Sequence, residues 1–463
     1  MSLDETRILV PLGVLGSGAK AEELEAGLAL RPHAIALDAG STDSGPASLA
    51  TGLSKYSRHA IKRDMSLLMA ARERAGIPLL IGSCGTSGCD QAVDWTLEIA
   101  LEVARDQGIA PRIAVLYSEQ DKLVLKAKLR QGAIRPLPPS AALDEARIDA
   151  CDHIVALLGA EPYIAALDAG ADIVLGGRTT DTAVLAAVPL RNGRHVGASW
   201  HAAKIAECGG LCTVNPGSTG VLMSVDQEGF TLAPLAPNNR CTPETVSAHM
   251  LYENGDPFRL TEPGGVLDVT DTLYAPLDER TVRVTGSRFE AAPYTMKLEG
   301  AGGGSYQTVM LVGIEDPAVL ADIDGFLARM SDALHQRVQR MLGEIAGSYE
   351  ISLRPYGWNA VSGLPPPAGA APPREIGLLF VATAATQALA TEVTKVCNPY
   401  FFHFPVREGK ELPSYAFPFS PAEIERGQVF AFHLNHVVQT TPSELVRTRW
   451  VDVGDPTGWT KDA

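Results

Sequence analysis

The sequence predicts an α/β fold in which an N-terminal parallel-sheet domain, Rossmann-like in type, precedes a second α+β domain. Two observations carry this prediction. Through residues 1–210, short apolar runs alternate with amphipathic helical patterns, as expected for successive βαβ units. From residue 211 onward, many turn signals separate short strand-like runs. The predicted domains are therefore 1–210, which carries the polar loops that follow the strands, and 211–463, which completes a cleft.

Each element of the first half is predicted from its local pattern. Short β-rich apolar runs indicate strands, and helical periodicity that ends at glycine or proline indicates helices. The predicted strands are Ile8–Leu12, Ala34–Leu37, Pro78–Gly82, Ile113–Tyr117 and Ile173–Leu175, and the predicted helices are Ala19–Leu30, Ser57–Ala75, Gln91–Gln107 and Pro162–Ala169. Because right-handed crossovers bring the loop after each strand to one edge of the sheet, these loops are expected to meet.

The second half is predicted to contain shorter strands and two helices. Its predicted strands are Gly220–Val225, Val266–Val269, Thr281–Val284, Tyr294–Leu298, Tyr306–Val312, Tyr349–Arg354, Ile376–Ala382 and Val429–His436. The predicted helices are Ala318–Leu342 and Thr386–Val396. The glycine cluster Gly300–Gly304 is expected to form a loop between two strands.

Composition limits the class of protein. The chain has 39 Lys and Arg against 54 Asp and Glu, a net charge of −15, and no long basic run, which argues against a nucleic-acid partner. No apolar run is long enough to span a bilayer, and the N-terminus lacks a signal core. We therefore expect a cytoplasmic protein without a membrane partner. We also expect a homo-oligomer. Seven cysteines, an odd number, indicate reduced thiols.

The stretch Ala171–Thr182 is the most informative one, because a buried strand runs directly into a charged tip. Ligands of open α/β sheets bind at the carboxyl ends of strands. Arg178 can hold a carboxylate with two parallel hydrogen bonds, and Thr179 and Thr180 add hydroxyl groups. Asp181 is a candidate general base, or a partner that holds Arg178. The alternative is an Arg–Asp pair that only braces the loop.

A second polar loop, 38–46, follows the strand Ala34–Leu37. It carries carboxylates and hydroxyls that suit substrate hydroxyls, an oxygen-ligated metal or a ribose, namely Asp38, Ser41, Thr42 and Asp43. The alternative is that Asp43 or Ser44 caps the next helix and Gly40 makes the turn. Five polar groups within seven positions exceed what a cap requires, so we favour a binding role for this loop.

The loop Gly82–Gly88 leads directly into a helix. Backbone N–H groups at a helix N-terminus attract anions, so Ser83, Gly85 and Thr86 are predicted to hold a carboxylate or one phosphate. The spacing is neither that of a dinucleotide-binding loop nor that of a Walker loop. The alternative is a tight turn with a cap. Cys84 lies in this loop, and its reactivity stays open.

Two further candidates lie downstream. Glu207 stands beside two glycines and is a candidate acid or base, with helix termination as the alternative. Lys297 is a candidate for stabilising a developing oxyanion, with an edge-strand lysine as the alternative.

With these residues in place, the chain resembles the acyclic terpene utilization (AtuA-like) family. The matching stretches span most of the chain in order and are Asp38–Pro46, Gly82–Gly88, Gly176–Asp181, Glu207–Gly210, Leu251–Pro257, Val282–Arg288, Thr295–Leu298 and Phe432–Val437. The resemblance implies bacterial catabolism of branched hydroxy acids and acyl-CoA thioesters, of the kind formed in citronellol and geraniol breakdown.

Together these features predict a lyase or hydro-lyase that acts on a small hydroxy- or oxo-carboxylate or its acyl-CoA thioester. The predicted catalytic residues are Asp43, Asp181, Glu207 and Lys297, and no cofactor is expected. A hydrolase with a divalent metal on Asp38, Asp43 and Asp181 stays open as an alternative. So does a ligand-binding or scaffold subunit without catalysis.

Overall fold

The computed structural model describes residues 5–217, 220–365, 367, 369–406, 409 and 412–454. Two compact units make up the protein: unit 1 is Met1–Gly302 with Ala431–Ala463, and unit 2 is Gly303–Phe430. The division expected between residues 210 and 211 falls instead inside unit 1. The physical reason is that the strand after residue 220 pairs antiparallel with the first strand of the chain and so extends the same sheet.

The strands follow one another from residue 6 to residue 452. In chain order they are β1 (Thr6–Val10), β2 (Ala34–Asp38), β3 (Leu79–Gly82), β4 (Arg112–Tyr117), β5 (Ile134–Pro136), β6 (His153–Ala156), β7 (Ile173–Gly176), β8 (Val221–Val225), β9 (Gly229–Pro234), β10 (Arg259–Glu262), β11 (Gly265–Asp268), β12 (Leu273–Pro276), β13 (Val282–Thr285), β14 (Arg288–Ala291), β15 (Thr295–Ile314), β16 (Tyr349–Tyr356), β17 (Ile376–Ala384), β18 (Tyr415–Ala416), β19 (Ile424–Gln439) and β20 (Arg447–Asp452).

The helices lie mostly between the strands of the first half. In chain order they are α1 (Ala21–Ala29), α2 (Ala47–Thr51), α3 (Arg58–Ala75), α4 (Asp90–Gln107), α5 (Lys122–Arg130), α6 (Glu145–Asp149), α7 (Glu161–Asp168), α8 (Ala183–Arg191), α9 (Val196–Ala206), α10 (Pro243–Ala248), α11 (Pro317–Leu320), α12 (Ile323–Leu342), α13 (Gln387–Cys397) and α14 (Tyr400–His403). No helix in the described part of the chain is long and apolar enough to cross a membrane.

Capping residues explain where the long helices begin and end. The Ser57 side chain accepts a hydrogen bond from the Ala60 backbone N–H at the start of α3. Both α3 and α4 end at a glycine in the left-handed conformation, Gly76 with φ 62° and Gly108 with φ 65°. These boundaries lie within one residue of the predicted ones because the capping signals are local.

Unit 1 is built on a ten-stranded mixed sheet. Its order is β12-β13-β9-β8-β1-β2-β3-β7-β4-β20. The central strands β1, β2, β3, β7 and β4 pair in parallel, whereas β8 and β20 flank them antiparallel. The predicted parallel sheet therefore exists, but it is the middle of a larger mixed sheet. A small sheet of β10, β11 and β14 lies in the same unit.

The parallel strands are buried on both faces, as their continuous apolar runs predict. Ile8, Ala36 and Val174 point into a core shared with α7, α8 and α9. Leu9 and Ile35 point into the opposite core, which contains side chains of α1, α3 and α4. The result is a layer of helices on each face of the sheet, with the loops at the strand ends left free to form a site.

Unit 2 has its own core. Strand β17 pairs antiparallel with β16 and with residues 306–314 of β15. Helices α12 and α13 pack their apolar sides on these strands, with Phe326, Met330, Phe380 and Phe401 fully buried. The predicted single helix Ala318–Leu342 is two helices, because the chain leaves helical geometry at Asp322, where φ is −144° and ψ is 55°.

The glycine cluster Gly300–Gly304 is not the predicted loop. It lies inside the continuous strand β15, and close packing explains the small residues. A Cβ atom on Gly300 would lie 2.7 Å from the Cys151 Sγ, and one on Gly302 would lie 2.1 Å from the Ala150 carbonyl oxygen. These glycines therefore allow neighbouring chain segments to approach rather than making the chain turn.

Candidate functional site

Backbone hydrogen bonds join the loops that follow the parallel strands. The Leu15 N–H donates to the Asp38 carbonyl over 2.9 Å, and the Ser83 N–H donates to the Gly177 carbonyl over 3.0 Å. The Arg178 N–H donates to the Gly88 carbonyl over 3.2 Å. The loops therefore lie side by side at one edge of the sheet, which is the geometry that the strand–helix alternation predicts.

Two cavities lie at this edge, each of about 380 Å³. The first is lined by residues of the loops after β1 and β2 and by Tyr56 and Cys208. The second is lined by residues of the loop after β7 and by Glu262 and Lys297. Both cavities share four acidic residues, namely Asp43, Asp181, Glu207 and Glu253. Because they share these walls, we treat the two cavities as one carboxylate-rich candidate site.

Arg178 is the buried centre of a hydrogen-bond network at the end of β7. Its Nε donates to the Glu299 carboxylate over 3.2 Å, and its Nη1 donates to the Ser83 Oγ over 3.1 Å and to Asp181 over 3.3 Å. Burial opposes its charge, but Glu299 and Asp181 outweigh burial and raise its pKa. Arg178 lines the second cavity, so it can still bind a substrate carboxylate. Its contacts with Ser83 and Asp181 equally fit the alternative, in which an Arg–Asp pair braces the loop.

Glu299 is the buried anion that balances two cations. It accepts from the Thr42 hydroxyl over 2.9 Å and from Arg178, and its other oxygen lies 2.7 Å from the Lys297 Nζ. Burial alone would raise the pKa of this carboxyl, but the positive charges of Arg178 and Lys297 outweigh burial. The net effect is a pKa lowered to about 2. Glu299 is therefore ionised. Lys297 lines the second cavity with an ammonium that has further N–H donors to offer.

The loop after β3 does not line either cavity. Ser83, Gly85 and Thr86 are all buried, and the Ser83 Oγ accepts from Thr179 as well as from Arg178. Thr86 accepts a hydrogen bond from the Lys55 N–H. The polar side chains of Ser83 and Thr86 hold neighbouring loops, and Gly85 is buried beside them. The positions of these three residues therefore do not favour the predicted anion-binding role.

Two other residues of the same region are also buried. Thr179 donates to the Gly177 carbonyl and contacts the Tyr163 hydroxyl, so it packs beneath the site rather than lining it. Cys84 is fully buried, and burial raises the pKa of its thiol. A buried, protonated thiol is not a reactive one.

The loop after β2 lies at the candidate site, where the sequence predicts it. Ser41, Asp38 and Asp43 line the first cavity, whereas Thr42 is turned to Glu299. Asp38 is buried, and its Oδ1 has no hydrogen-bond partner. Burial and the nearby charge of Asp181 raise the pKa of Asp38 well above its usual range. Asp38 is therefore a buried carboxyl group in the wall of the cavity that holds its proton more tightly than an exposed aspartate.

Glu207 and Lys204 form a buried pair at the end of α9. The Lys204 Nζ contacts the Glu207 Oε1, and Glu207 lines both cavities. Burial, together with the charge of Asp181, raises the pKa of Glu207 well above its usual range despite this contact. The sequence predicted Glu207 as a site residue but not Lys204. Lys204 lies one helical turn before Glu207, and only the structure shows that this side of α9 faces the cavity.

Glu262 is a site residue that the sequence reasoning missed. It is buried at the end of β10, and both of its carboxylate oxygens lie 2.9 Å from the Thr182 hydroxyl. Burial raises its pKa to about 7. One sequence signal could have identified it. Leu260 and Glu262 are two residues apart and so lie on the same face of the strand, and a carboxylate on the face that carries a buried leucine is unusual.

The donor sets limit where a metal can bind. Within the described residues, Asp38, Asp43 and Asp181 are not among the groups whose ligand atoms come within 4.8 Å of one another. Two mixed groups satisfy this distance, Cys89–Glu119–His153 and Glu207–Cys208–His249. The geometry therefore does not support the oxygen-ligated centre considered as an alternative.

Fold and site define a mixed α/β protein with a carboxylate-rich site at the edge of its parallel strands. The family model of the acyclic terpene utilisation family protein AtuA matches residues 47–407. The chain belongs to this family. The family prediction made from the strand-end motifs is thus confirmed.

A similarity to one curated protein covers a smaller part of the chain. A 167-residue stretch is 26% identical to a 1-deoxy-D-xylulose 5-phosphate reductoisomerase of Paraburkholderia phymatum, which covers 35% of this chain and 36% of that protein. The chain thus spans about a third of the length of this relative. No solved structure matches the chain.

Proposed function

We propose that the protein is a lyase of the hydro-lyase type that acts on a small, branched hydroxy- or oxo-carboxylate or its acyl-CoA thioester. One observation carries the proposal. Asp181 and Glu262 line the same cavity, and burial raises the pKa of Glu262 to about 7. Two carboxyl groups in different environments within one cavity suit an acid and a base that act together near neutral pH.

The two carboxyl groups take different roles in the proposal. Asp181 is partly exposed and paired with Arg178, which suits the base that removes a proton from the carbon next to the substrate carbonyl. Glu262 in its protonated form donates to the leaving hydroxyl, which departs as water while the carbon–carbon double bond forms. Asp43 is exposed, and Glu207 is paired with Lys204, so we favour Asp181 as the base.

The cationic side of the second cavity supports an anionic substrate. Lys297 lies at its wall with its side chain 40% exposed, and Thr180 adds a hydroxyl. In the proposal they bind the substrate carboxylate or stabilise the negative charge that develops on the carbonyl oxygen. The family is named for acyclic terpene utilisation, and branched acids of this size are compatible with that role.

Solvent exchange tests the proposal on a whole class of candidate substrates at once. A panel of branched hydroxy- and oxo-carboxylates and their CoA thioesters is incubated with the protein in D2O and followed by proton NMR. Wild type is expected to exchange the proton next to the carbonyl and to eliminate water from a hydroxy compound. Elimination is expected to fall as the pH rises through about 7, because Glu262 then loses its proton.

Two variants separate the roles. Asp181→Asn is expected to lose both exchange and elimination by roughly 10²–10⁴-fold. Glu262→Gln is expected to lose elimination by a similar factor and to keep exchange. Glu228→Gln, on an exposed turn, is the control and is expected to match wild type. Full activity in Asp181→Asn contradicts the mechanism, and binding without exchange identifies a non-catalytic ligand-binding subunit instead.

A further inference from the structure

Next to the carboxylate-rich site, His249 has a nitrogen without a partner. Its side chain is 5% exposed, and its Nε2 makes no hydrogen bond. Within the described part of the chain, no other imidazole nitrogen is both buried and unpartnered. A buried polar atom without a partner is costly and calls for a ligand.

Ligand atoms of Glu207, Cys208 and His249 lie within 4.8 Å of one another. Carboxylate oxygen, thiolate sulfur and imidazole nitrogen are the donor types that zinc and similar divalent transition metals accept. The Lys204 ammonium contacts the Glu207 Oε1, so Lys204 orients the carboxylate beside Cys208 and His249.

The second mixed group provides the contrast. In Cys89–Glu119–His153, one Glu119 oxygen lies 2.6 Å from the His153 Nδ1, and the other accepts from the Asp90 N–H over 2.8 Å. The Cys89 Sγ accepts from the Ser87 hydroxyl over 3.4 Å. Because Cys89, Glu119 and His153 already have hydrogen-bond partners within the protein, we do not propose a metal at that group.

We propose that Glu207, Cys208 and His249 bind one divalent transition metal ion, zinc by preference, at the wall of the first cavity. Three protein ligands leave one tetrahedral position for water or substrate, as in catalytic rather than structural zinc sites. Glu207 and Cys208 both line the cavity, so the proposed site borders a space that water or substrate can enter. The proposal goes beyond the proposed lyase activity, because neither Asp181 nor Glu262 is a ligand.

Binding of the metal alone tests the site without any assay of turnover. Full-length protein is stripped with a chelator and titrated with Co²⁺ and Zn²⁺, and metal content is measured by mass spectrometry. We expect one ion per chain and a thiolate-to-cobalt charge-transfer band in the near ultraviolet. X-ray absorption of the zinc-loaded wild type is expected to contain one sulfur ligand at about 2.3 Å.

Variants identify the ligands. Cys208→Ser is expected to lose the charge-transfer band, and His249→Ala to bind cobalt on the order of ten-fold more weakly or worse. Cys89→Ser and His153→Ala are matched controls from the other group and are expected to behave as wild type. Circular dichroism and melting temperatures check that each variant folds.

Several results would overturn the proposal. They are the absence of stoichiometric metal, a zinc shell without sulfur in the wild type, a band that persists in Cys208→Ser, or a loss of binding confined to the Cys89 and His153 variants. The measurement on the wild type keeps the proposal testable if a variant fails to fold. Failure of the metal site leaves the proton-exchange test of Asp181 and Glu262 unaffected.

Discussion

The loops after β3 and β7 lie side by side at one edge of the sheet and have different roles. Both follow buried parallel strands and carry glycines with serine or threonine. The loop Ser83–Gly88 is buried throughout, whereas the loop Gly177–Thr182 presents Thr180 and Asp181 to a cavity. In the first loop, polar groups hold the protein together; in the second, they face a space that a ligand can enter.

The difference arises from what covers each loop. Gly88 lies against the backbone of Arg178, so the loop after β7 covers the loop after β3. The loop after β7 has carboxylates and cations from later parts of unit 1 around it instead. A polar loop at the end of a parallel strand is therefore only a candidate for binding until its neighbours are known.

The largest expected effect comes from the anion that holds the loop after β7. In Glu299→Gln, Arg178 and Lys297 lose a buried carboxylate, and we expect a loss of about 3–5 kcal/mol in unfolding free energy, measured by urea denaturation at pH 7. Glu290→Gln removes an exposed partner of Arg259 and is the control, with little change expected. Equal stability of the two variants would contradict the bracing role of Glu299.

Glu299 also predicts how wild-type stability depends on pH. Its folded-state pKa, about 2, lies below the ordinary value of 4.5, so it stabilises the protein fully above pH 4.5. That contribution is lost as the pH falls from 4.5 to about 2. In Glu299→Gln, this part of the acid-side decrease is expected to disappear from the curve of unfolding free energy against pH.

The next effect breaks the packing between the two loops. Gly88 has φ +64°, and an added Cβ would lie 2.0 Å from the Arg178 backbone nitrogen. Gly88→Ala is expected to cost roughly 3 kcal/mol. Gly108→Ala is the matched control, since it has φ +65° with open space around it and is expected to cost only about 1 kcal/mol. Similar losses in both variants would mean that the loops do not depend on this contact.

A smaller effect removes one bracing hydroxyl. Ser83→Ala removes one of the acceptors of the Arg178 Nη1 and the acceptor of the Thr179 N–H, and we expect a loss of about 1–2 kcal/mol in unfolding free energy. Affinity for any carboxylate found by the exchange screen is expected to change little, because Ser83 lines neither of the two described cavities of the candidate site. A variant that keeps its stability and loses the ligand would reverse the roles given to the two loops.

The smallest effect on stability is expected on the cavity side. Thr180→Val is expected to change unfolding free energy by no more than about 0.5 kcal/mol. The Thr180 hydroxyl favours ionised Glu262, so its loss is expected to raise the pKa of Glu262 further above about 7. The pH at which elimination falls should rise accordingly. An unchanged pH profile would show that Thr180 does not act on Glu262.

Local patterns predicted much of the fold in unit 1. The ends of α3 and α4 and the buried strands β2 and β7 lie within one or two residues of their predicted bounds. The boundary at residue 210 differed, because the pairing of β8 with β1 joins distant parts of the chain. The break before α12 and the continuous strand through Gly300–Gly304 likewise depend on neighbours that local patterns do not contain.

The sequence by itself determined the alternating strands and helices, the polar loops at the strand ends and the family, because each depends on residues close together in the chain. Only the tertiary structure decided which loop faces a cavity. It also brought Glu299 and Glu262 to the loop after β7, across 121 and 80 residues. Burial and charge set the pKa of a carboxyl group, and both are properties of neighbours that folding brings together.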